Sequence, residues 1–362
     1  MRSYITFGLM ALGASPALAG GIERSPQSMN ILFQEGNYLE VGATYGAPRV
    51  SGNAPGATGN IARNFFTGSI AFKGDINDQL SYAIILDQPF GAGIRFPTGT
   101  GADLAGSTAK IDNTTLTGVL RYKFGNGFSA HAGLRSSWTS GSVDLTSLGY
   151  TMSIDRDQAW GYLVGVAYEQ PEIALRVALT YNSSIKHTFN ARETGPTFIP
   201  FTDPGTNQTT FSTKIPESVN LEFQTGIAED TLVFGSVRWV NWKDFVIAPS
   251  QYMAFPLASL PPLVEYQKNS VTYTLGVGRR FNENWSGSVS LSHDTGNGSP
   301  TSNLGPTGKR NAIGLGASYT KDNMTISGGV QYTRIGSATT NTGGQFGSNS
   351  AIGAGIRVGF SF

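Results

Sequence analysis

The 362-residue chain has no cysteine, which excludes a disulfide framework, a thiolate metal site and a cysteine nucleophile. Charge is scarce: Asp, Glu, Lys and Arg make up 14% of the residues and the net charge is +1, so there is no broad basic face of the kind that holds nucleic acid. The three histidines, His131, His187 and His293, fall in no Ser/His motif and no metal-ligand spacing, so neither enzymatic chemistry nor a metal or other cofactor is expected. Beyond residue 19 no apolar run approaches the ~20 residues that a membrane helix needs. A membrane barrel stays open, because its strands are apolar on one face only. What the chain does have is 47 Gly, 14 Tyr and 21 Phe, a composition that suits many short strands better than helices.

Residues 1–19 read as a secretory signal peptide. Arg2 supplies the positive start, Tyr4 to Leu12 the apolar stretch, and Ala17, Leu18 and Ala19 a small-residue cleavage site. The next stretch, GGIERSPQSMNILF from Gly20 to Phe33, is too apolar for a free tail and lacks the alternation of a strand. Residues 20–36 are therefore expected to fold back as a plug in the lumen of a barrel formed by 37–362, with Ile31, Leu32 and Phe33 as the plugging trio. The alternative is an N-terminus that frays after signal removal.

Period-2 alternation bounded by turn residues predicts strands over 37–48, 64–75, 79–87, 111–124, 127–139, 155–168, 172–186, 215–227, 231–247, 267–281, 284–293, 310–320, 323–335 and 349–362. These make about fourteen, an even number, as bacterial single-chain barrels show. Short turns such as Gly125-Asn126, Asn282-Glu283 and Lys321-Asp322 alternate with long Gly/Pro/Ser/Thr-rich loops, including 88–110, 140–154 and 187–214. Short turns on one rim and long loops on the other are the habit of an outer-membrane barrel. The expected fold is thus an all-β transmembrane antiparallel barrel of about 14 strands with a short lumenal plug, in a single domain.

Strand faces agree. Phe128, Ala130, Ala132 and Leu134 share one side and Ser129, His131, Gly133 and Arg135 the other, matching lipid outside and lumen inside. Tyr38, Trp138, Trp160, Tyr168, Trp239, Trp285 and Tyr319 are candidates for interfacial aromatic girdles. The last strand ends on Phe362, which resembles the signal read by the barrel-assembly machinery.

Two stretches resemble a family. IPESVNLEFQTGIAEDTLVFGSVRWVNWKDF, from Ile215 to Phe245, is similar to the paired strands of the FadL/TodX (OMPP1) outer-membrane transport family, and GIERSPQSMNILFQEGNYLEVGATYGAP, from Gly21 to Pro48, to its plug and first strand. The resemblance implies a fourteen-stranded barrel closed by an N-terminal hatch, monomeric in the outer membrane of a Gram-negative bacterium among lipid and lipopolysaccharide. It also implies passive uptake of hydrophobic molecules, long-chain fatty acids foremost. Substrate would be caught between outer loops and leave sideways through a wall gap. The hatch here is short and lacks the family's Asn-Pro-Ala signature.

The residues suggest where such a path would run. Asp87-Gln88-Pro89-Phe90-Gly91 interrupts a well-alternating strand, and Pro89, Phe90 and Gly91 mark a candidate wall kink. Strand parity points Arg121, His131, Arg135, Arg176, Arg238, Arg280 and Arg357 inward, where they would meet a ligand carboxylate or pair with one another and with plug residues Glu23, Arg24 or Glu35. Phe198, Ile199 and Phe201 in one outer loop, and Phe255, Leu257 and Leu260 in another, are too apolar for loops that face only water and are candidates for substrate capture. A general or selective diffusion porin is the rival reading, since a barrel of this size with an empty lumen would conduct.

Overall fold

The computed structural model describes residues 21–195, 205–254, 260–347 and 349–362; the expected signal peptide lies outside them. The strands are β1 (Tyr38–Arg49), β2 (Gly52–Asn53), β3 (Phe65–Asp75), β4 (Leu80–Asp87), β5 (Gly91–Arg95), β6 (Thr108–Gly125), β7 (Phe128–Leu145), β8 (Tyr150–Gln170), β9 (Leu175–Asn182), β10 (Ile185–Thr194), β11 (Thr206–Ile215), β12 (Ser218–Ala228), β13 (Thr231–Val240), β14 (Ser270–Arg280), β15 (Trp285–Asp294), β16 (Arg310–Lys321), β17 (Met324–Ile335), β18 (Ala338–Thr339), β19 (Gln345–Phe346) and β20 (Asn349–Ser361).

All but β2, β18 and β19 belong to one antiparallel sheet that closes on itself, because β1 pairs with β3 on one side and with β20 on the other. Closure leaves no edge strand, the condition for burying a sheet in lipid. Among the described residues, three spans come in two pieces, β4 with β5, β9 with β10 and β11 with β12, so the barrel crosses fourteen times. The short turns fall where expected. Asn126, Asp230 and Asp322 adopt positive φ there, a conformation whose steric cost Asn and Asp tolerate better than most residues.

Three predicted boundaries move. The loop expected at 140–154 is the tip of a hairpin, since β7 runs to Leu145 and β8 restarts at Tyr150. Within the loop expected at 187–214, β10 and β11 continue their spans as a hairpin above the membrane: Ile185, His187, Phe189, Ala191 and Glu193 are buried while Lys186, Thr188, Asn190 and Arg192 face out. The strand expected to run to 247 stops at Val240, where a 3-10 turn, Trp242–Asp244, carries Trp242 inward to full burial.

The outward rows are apolar. Leu134, Leu291 and Leu315 are each more than half exposed on the outer surface, where lipid would cover them. Trp285 stacks beside Tyr319 with ring centroids 5.1 Å apart, and Phe128 beside Tyr168 at 4.8 Å. Tyr38 does not join them. It shares strand parity with the inward Glu40 and is buried, its ring lying over Gly359, where an added Cβ would strike the phenol oxygen.

Depth-dependent cost tests the placement of the wall in lipid. Leu315→Arg, in the middle of the apolar row of β16, is expected to lower stability by about 2–4 kcal/mol, whereas Asn311→Arg, at the outer end of the same row, changes it by about 1 kcal/mol or less. Urea unfolding from lipid vesicles measures both, and equal costs would contradict the assignment.

Candidate functional site

The pairing of β3 with its neighbour stops short of the end of β3. β4 pairs with β3 only up to Ile70↔Leu86. Pro89 then removes a backbone donor and the chain turns inward, leaving Phe65–Ser69 of β3 paired with β1 alone among the described strands. One bond spans the break, from the Gly68 N–H to the Gln88 side-chain oxygen at 3.3 Å. Phe66, at the height of the break, is the last outward apolar residue of β3 and is 68% exposed. The break therefore sits at the outer end of the apolar band.

Backbone groups freed in a membrane wall must find other partners, and here the N-terminal segment provides them. The Arg24 N–H donates to the Pro89 carbonyl at 2.7 Å, and the Gly91 N–H donates to the Ile22 carbonyl at 2.8 Å, so that Glu23 bridges to Phe90 as one more antiparallel step. Gly91 lets the Arg24 side chain lie close over the strand, since a Cβ there would sit 2.4 Å from its guanidinium carbon and push it aside. Gly21, at φ +68°, fits flat against the Trp242 ring, where any side chain would collide.

Beyond the break the segment lies among inward side chains. Arg238 of β13 holds the buried Glu23 carboxylate through its Nε at 3.0 and 3.1 Å and again through a terminal nitrogen. Arg238 also donates to Asn220 Oδ1, and Asn220 in turn donates to the Pro26 carbonyl at 2.9 Å. Arg135 of β7 donates to Gln27. Ser28 donates to Glu222 at 2.6 Å.

The segment then closes into a 3-10 turn, Asn30–Phe33, whose Ile31, Leu32 and Phe33 are buried. They pack on Ala71, Ala83, Val119, Ala167 and Ala178, small inward residues that leave room for the turn. Phe33 lies between two guanidinium groups, Arg121 at 4.4 Å and Arg176 at 4.7 Å, an arrangement favourable to both charges.

Two spaces flank the segment. The inner one, a cavity of 870 Å³, reaches from Thr67, Asp87 and Gln88 at the break to Asn126 and Pro171 at the short-turn rim, and polar side chains dominate its lining. The outer one is apolar and small, about 60 Å³, so a ring-sized guest has to part its aromatic lining to enter. Ile22 and Phe90 form its floor with Phe189 and Phe211 from the β10–β11 hairpin, and Phe245 and Tyr266 come from the loop after β13. Trp242 reinforces the floor edge-on to Phe90, with centroids 6.5 Å apart. Burial pushes the Tyr266 hydroxyl well above its usual pKa and keeps it neutral.

The predicted site residues divide between these places. Arg121, Arg135, Arg176 and Arg357 line the inner cavity, and Arg238 clamps the segment. Arg121 also pairs with Glu169 and donates to the Leu32 carbonyl at 3.0 Å, while Arg357 pairs with Glu40 at 3.1 Å. Arg280 lies apart at the rim, bonded to Asp230 at 2.7 Å. His131 packs over Gly165 and meets Thr180 at 2.9 Å rather than opening to either space. Leu260 packs against the outer apolar cluster; Phe198, Ile199, Phe201, Phe255 and Leu257 fall outside the described residues.

Sequence reasoning missed the outer pocket's own walls. Phe189 and Phe211 stand on a period-2 row that the surrounding Thr, Asn and Gly residues made look like a loop.

The family model for outer membrane protein transport proteins (OMPP1/FadL/TodX) matches residues 14–358. Among solved structures, a FadL homologue of Pseudomonas aeruginosa is 14% identical with a TM-score of 0.71, covering 95% of each chain. The Pseudomonas putida toluene transporter TodX is 13% identical with a TM-score of 0.68, over 99% of this chain and 100% of that one. The Ralstonia pickettii toluene transporter TbuX is 14% identical with a TM-score of 0.66, over 98% and 100%. A comparison with curated protein sequences gives no match. On the family match over almost its whole length and on its closed fourteen-stranded barrel, the chain belongs to the OMPP1/FadL/TodX family, transport channels of the Gram-negative outer membrane for hydrophobic compounds and not enzymes.

Proposed function

We propose that this protein takes up small hydrophobic molecules passively, holds them in the ring-lined outer pocket, and releases them sideways through the wall break beside Pro89. The observation that carries the reading is the placement of an apolar pocket directly above Phe90, the residue at which the wall opens. An apolar molecule gains by leaving water for that pocket. The break opens from the outer end of the inner cavity, at Thr67, Asp87 and Gln88, so an apolar molecule that passes Phe90 reaches lipid there without crossing the charge-lined length below. In this reading residues 21–36 are a plug that blocks the straight route to the periplasm and also completes the wall.

The substrate class follows from charge. Long-chain fatty acids need a cation for the carboxylate. Arg121, Arg238 and Arg357 already hold Glu169, Glu23 and Glu40, and Arg135 and Arg176, which donate to Gln27 and to Asn30 and Gln224, lie in the inner cavity and not in the outer pocket. The one ammonium group along the outer pocket, that of Lys110, pairs with Asp112 at 2.5 Å. Compact uncharged hydrophobes fit better, and toluene, which the related TodX and TbuX transport, is of that kind.

Cells lacking their own outer-membrane hydrophobe channels, given this protein, are expected to accumulate labelled toluene faster than control cells, with competition by other small aromatics and not by sugars. Thr67→Trp, which fills the cavity at the break, is expected to abolish the gain while leaving the barrel folded. Uptake of oleate in place of toluene would move the substrate back to fatty acids, and uptake of sugars would identify a porin.

Glu23 and Arg238 test the plug. Glu23→Ala strands a buried guanidinium, at a cost of about 3–5 kcal/mol, and is expected to raise small-solute leakage in a liposome swelling assay. Replacing both residues, as Glu23→Ala with Arg238→Met, is expected to leak less than the single variant, because no unpaired charge remains. Leakage unchanged in both would sink the plug assignment.

A further inference from the structure

One side of the outer pocket is not apolar. Asn113 of β6, Thr139 of β7 and His187 of β10 line it, with Ser137 of β7 and Asp157 of β8 behind them. The Asn113 amide nitrogen donates to Ser137 Oγ and to Thr139 Oγ1, each at 2.8 Å. It also faces the Trp138 carbonyl at 3.4 Å, which can only accept and so sets the orientation of the amide. His187 Nδ1 is 2.7 Å from Asp157 Oδ2, and its Nε2 is 3.2 Å from both hydroxyl oxygens. Ser137 and His187 are fully buried, and Asn113 and Thr139 nearly so.

The hydrogens of this cluster do not balance. An ionised Asp157 only accepts, so His187 carries a proton on Nδ1. The neutral ring then has one lone pair, at Nε2, to receive the hydroxyl hydrogens of both Ser137 and Thr139. Asn113 cannot take the second, since its amide nitrogen faces the hydroxyls and its oxygen accepts from Thr115 at 3.2 Å. A second proton on the ring turns Nε2 into a donor and leaves two hydroxyl hydrogens to place. In either state the cluster holds at least one donor too many, and the space beside Thr139 is the pocket.

We infer that the outer pocket selects hydrophobes carrying one neutral oxygen acceptor, a carbonyl or hydroxyl on an otherwise apolar frame, which receives the surplus hydroxyl hydrogen of the Ser137/Thr139 pair. The inference rests on the uptake reading and names the substrate class of the same pocket. A carboxylate is disfavoured, because Asp157 stands on the far side of the His187 ring. A plain hydrocarbon that enters the same space leaves the donor unmet, a penalty that corresponds to roughly tenfold or more in affinity.

The test uses near-isosteric probes. Acetophenone and ethylbenzene are titrated against the purified full-length protein in lipid nanodiscs, with partition into empty nanodiscs subtracted. Acetophenone is expected to bind roughly tenfold tighter. Because the surplus is a matter of count, removing either hydroxyl removes it: Thr139→Val and Ser137→Ala are both expected to abolish the preference, although Ser137 does not line the pocket. Heat-modifiable electrophoretic mobility shows that each variant has folded. Equal binding of the two probes to the unsubstituted protein would overturn the inference and leave the uptake reading standing. Loss of preference in Thr139→Val alone would reduce the donor to a simple lining contact and overturn the count. Binding of neither probe would remove both this inference and the uptake reading.

Discussion

A strand that crosses a membrane can leave its hydrogen-bonded ladder only where something else takes over its backbone groups. In this protein that something is Ile22, Glu23 and Arg24. Their main chain meets Pro89 and Gly91 where the wall opens, and the rest of the interior is arranged to keep them there. Arg238 holds Glu23, Asn220 holds the Pro26 carbonyl, and Phe33 is wedged between Arg121 and Arg176. The segment that lies inside the barrel is the same segment that takes up the backbone groups freed at Pro89.

The same arrangement separates two environments. Above Ile22 and Phe90 the lining is aromatic and aliphatic; below, it is largely carboxylate, guanidinium, amide and hydroxyl. A buried charge is tolerated only when paired and hydrogen-bonded. The pairs Arg121–Glu169, Arg238–Glu23 and Arg357–Glu40 show that the basic interior serves the architecture first. Inward parity alone could place these arginines, but not tell a clamp from a binding site, because the acidic partners Glu23 and Glu169 lie in a segment and at a strand end whose side chains parity does not aim.

Much of the barrel was legible because lipid on one side and a lumen on the other impose period 2 on every span, and because the turn chemistry of Asn126, Asp230 and Asp322 is local. The kink at Pro89 was legible for the same reason, a missing donor in an otherwise regular strand. What could not be read depended on contacts distant in sequence. The polar face of the β10–β11 hairpin hid the inward row of His187, Phe189 and Ala191. The inward turn at Trp242 looked like three more residues of strand until Gly21 and Phe90 stood opposite it. Tyr38 read as a girdle residue by type, and its parity with Glu40 was the stronger signal.

The partners of residues 21–33 are scattered across the chain, from Phe90 through Asn220 and Arg238 to Asn297, whose side chain accepts from the Gly21 N–H at 2.9 Å. Residues 21–33 therefore meet their partners only where strands from the first half and the last third of the chain stand together around them. Contacts so far apart in sequence form slowly because the loop-closure entropy must be met before they stabilise anything. The backbone partners of the broken strand are thus held in place by contacts that only the closed ring of strands supplies.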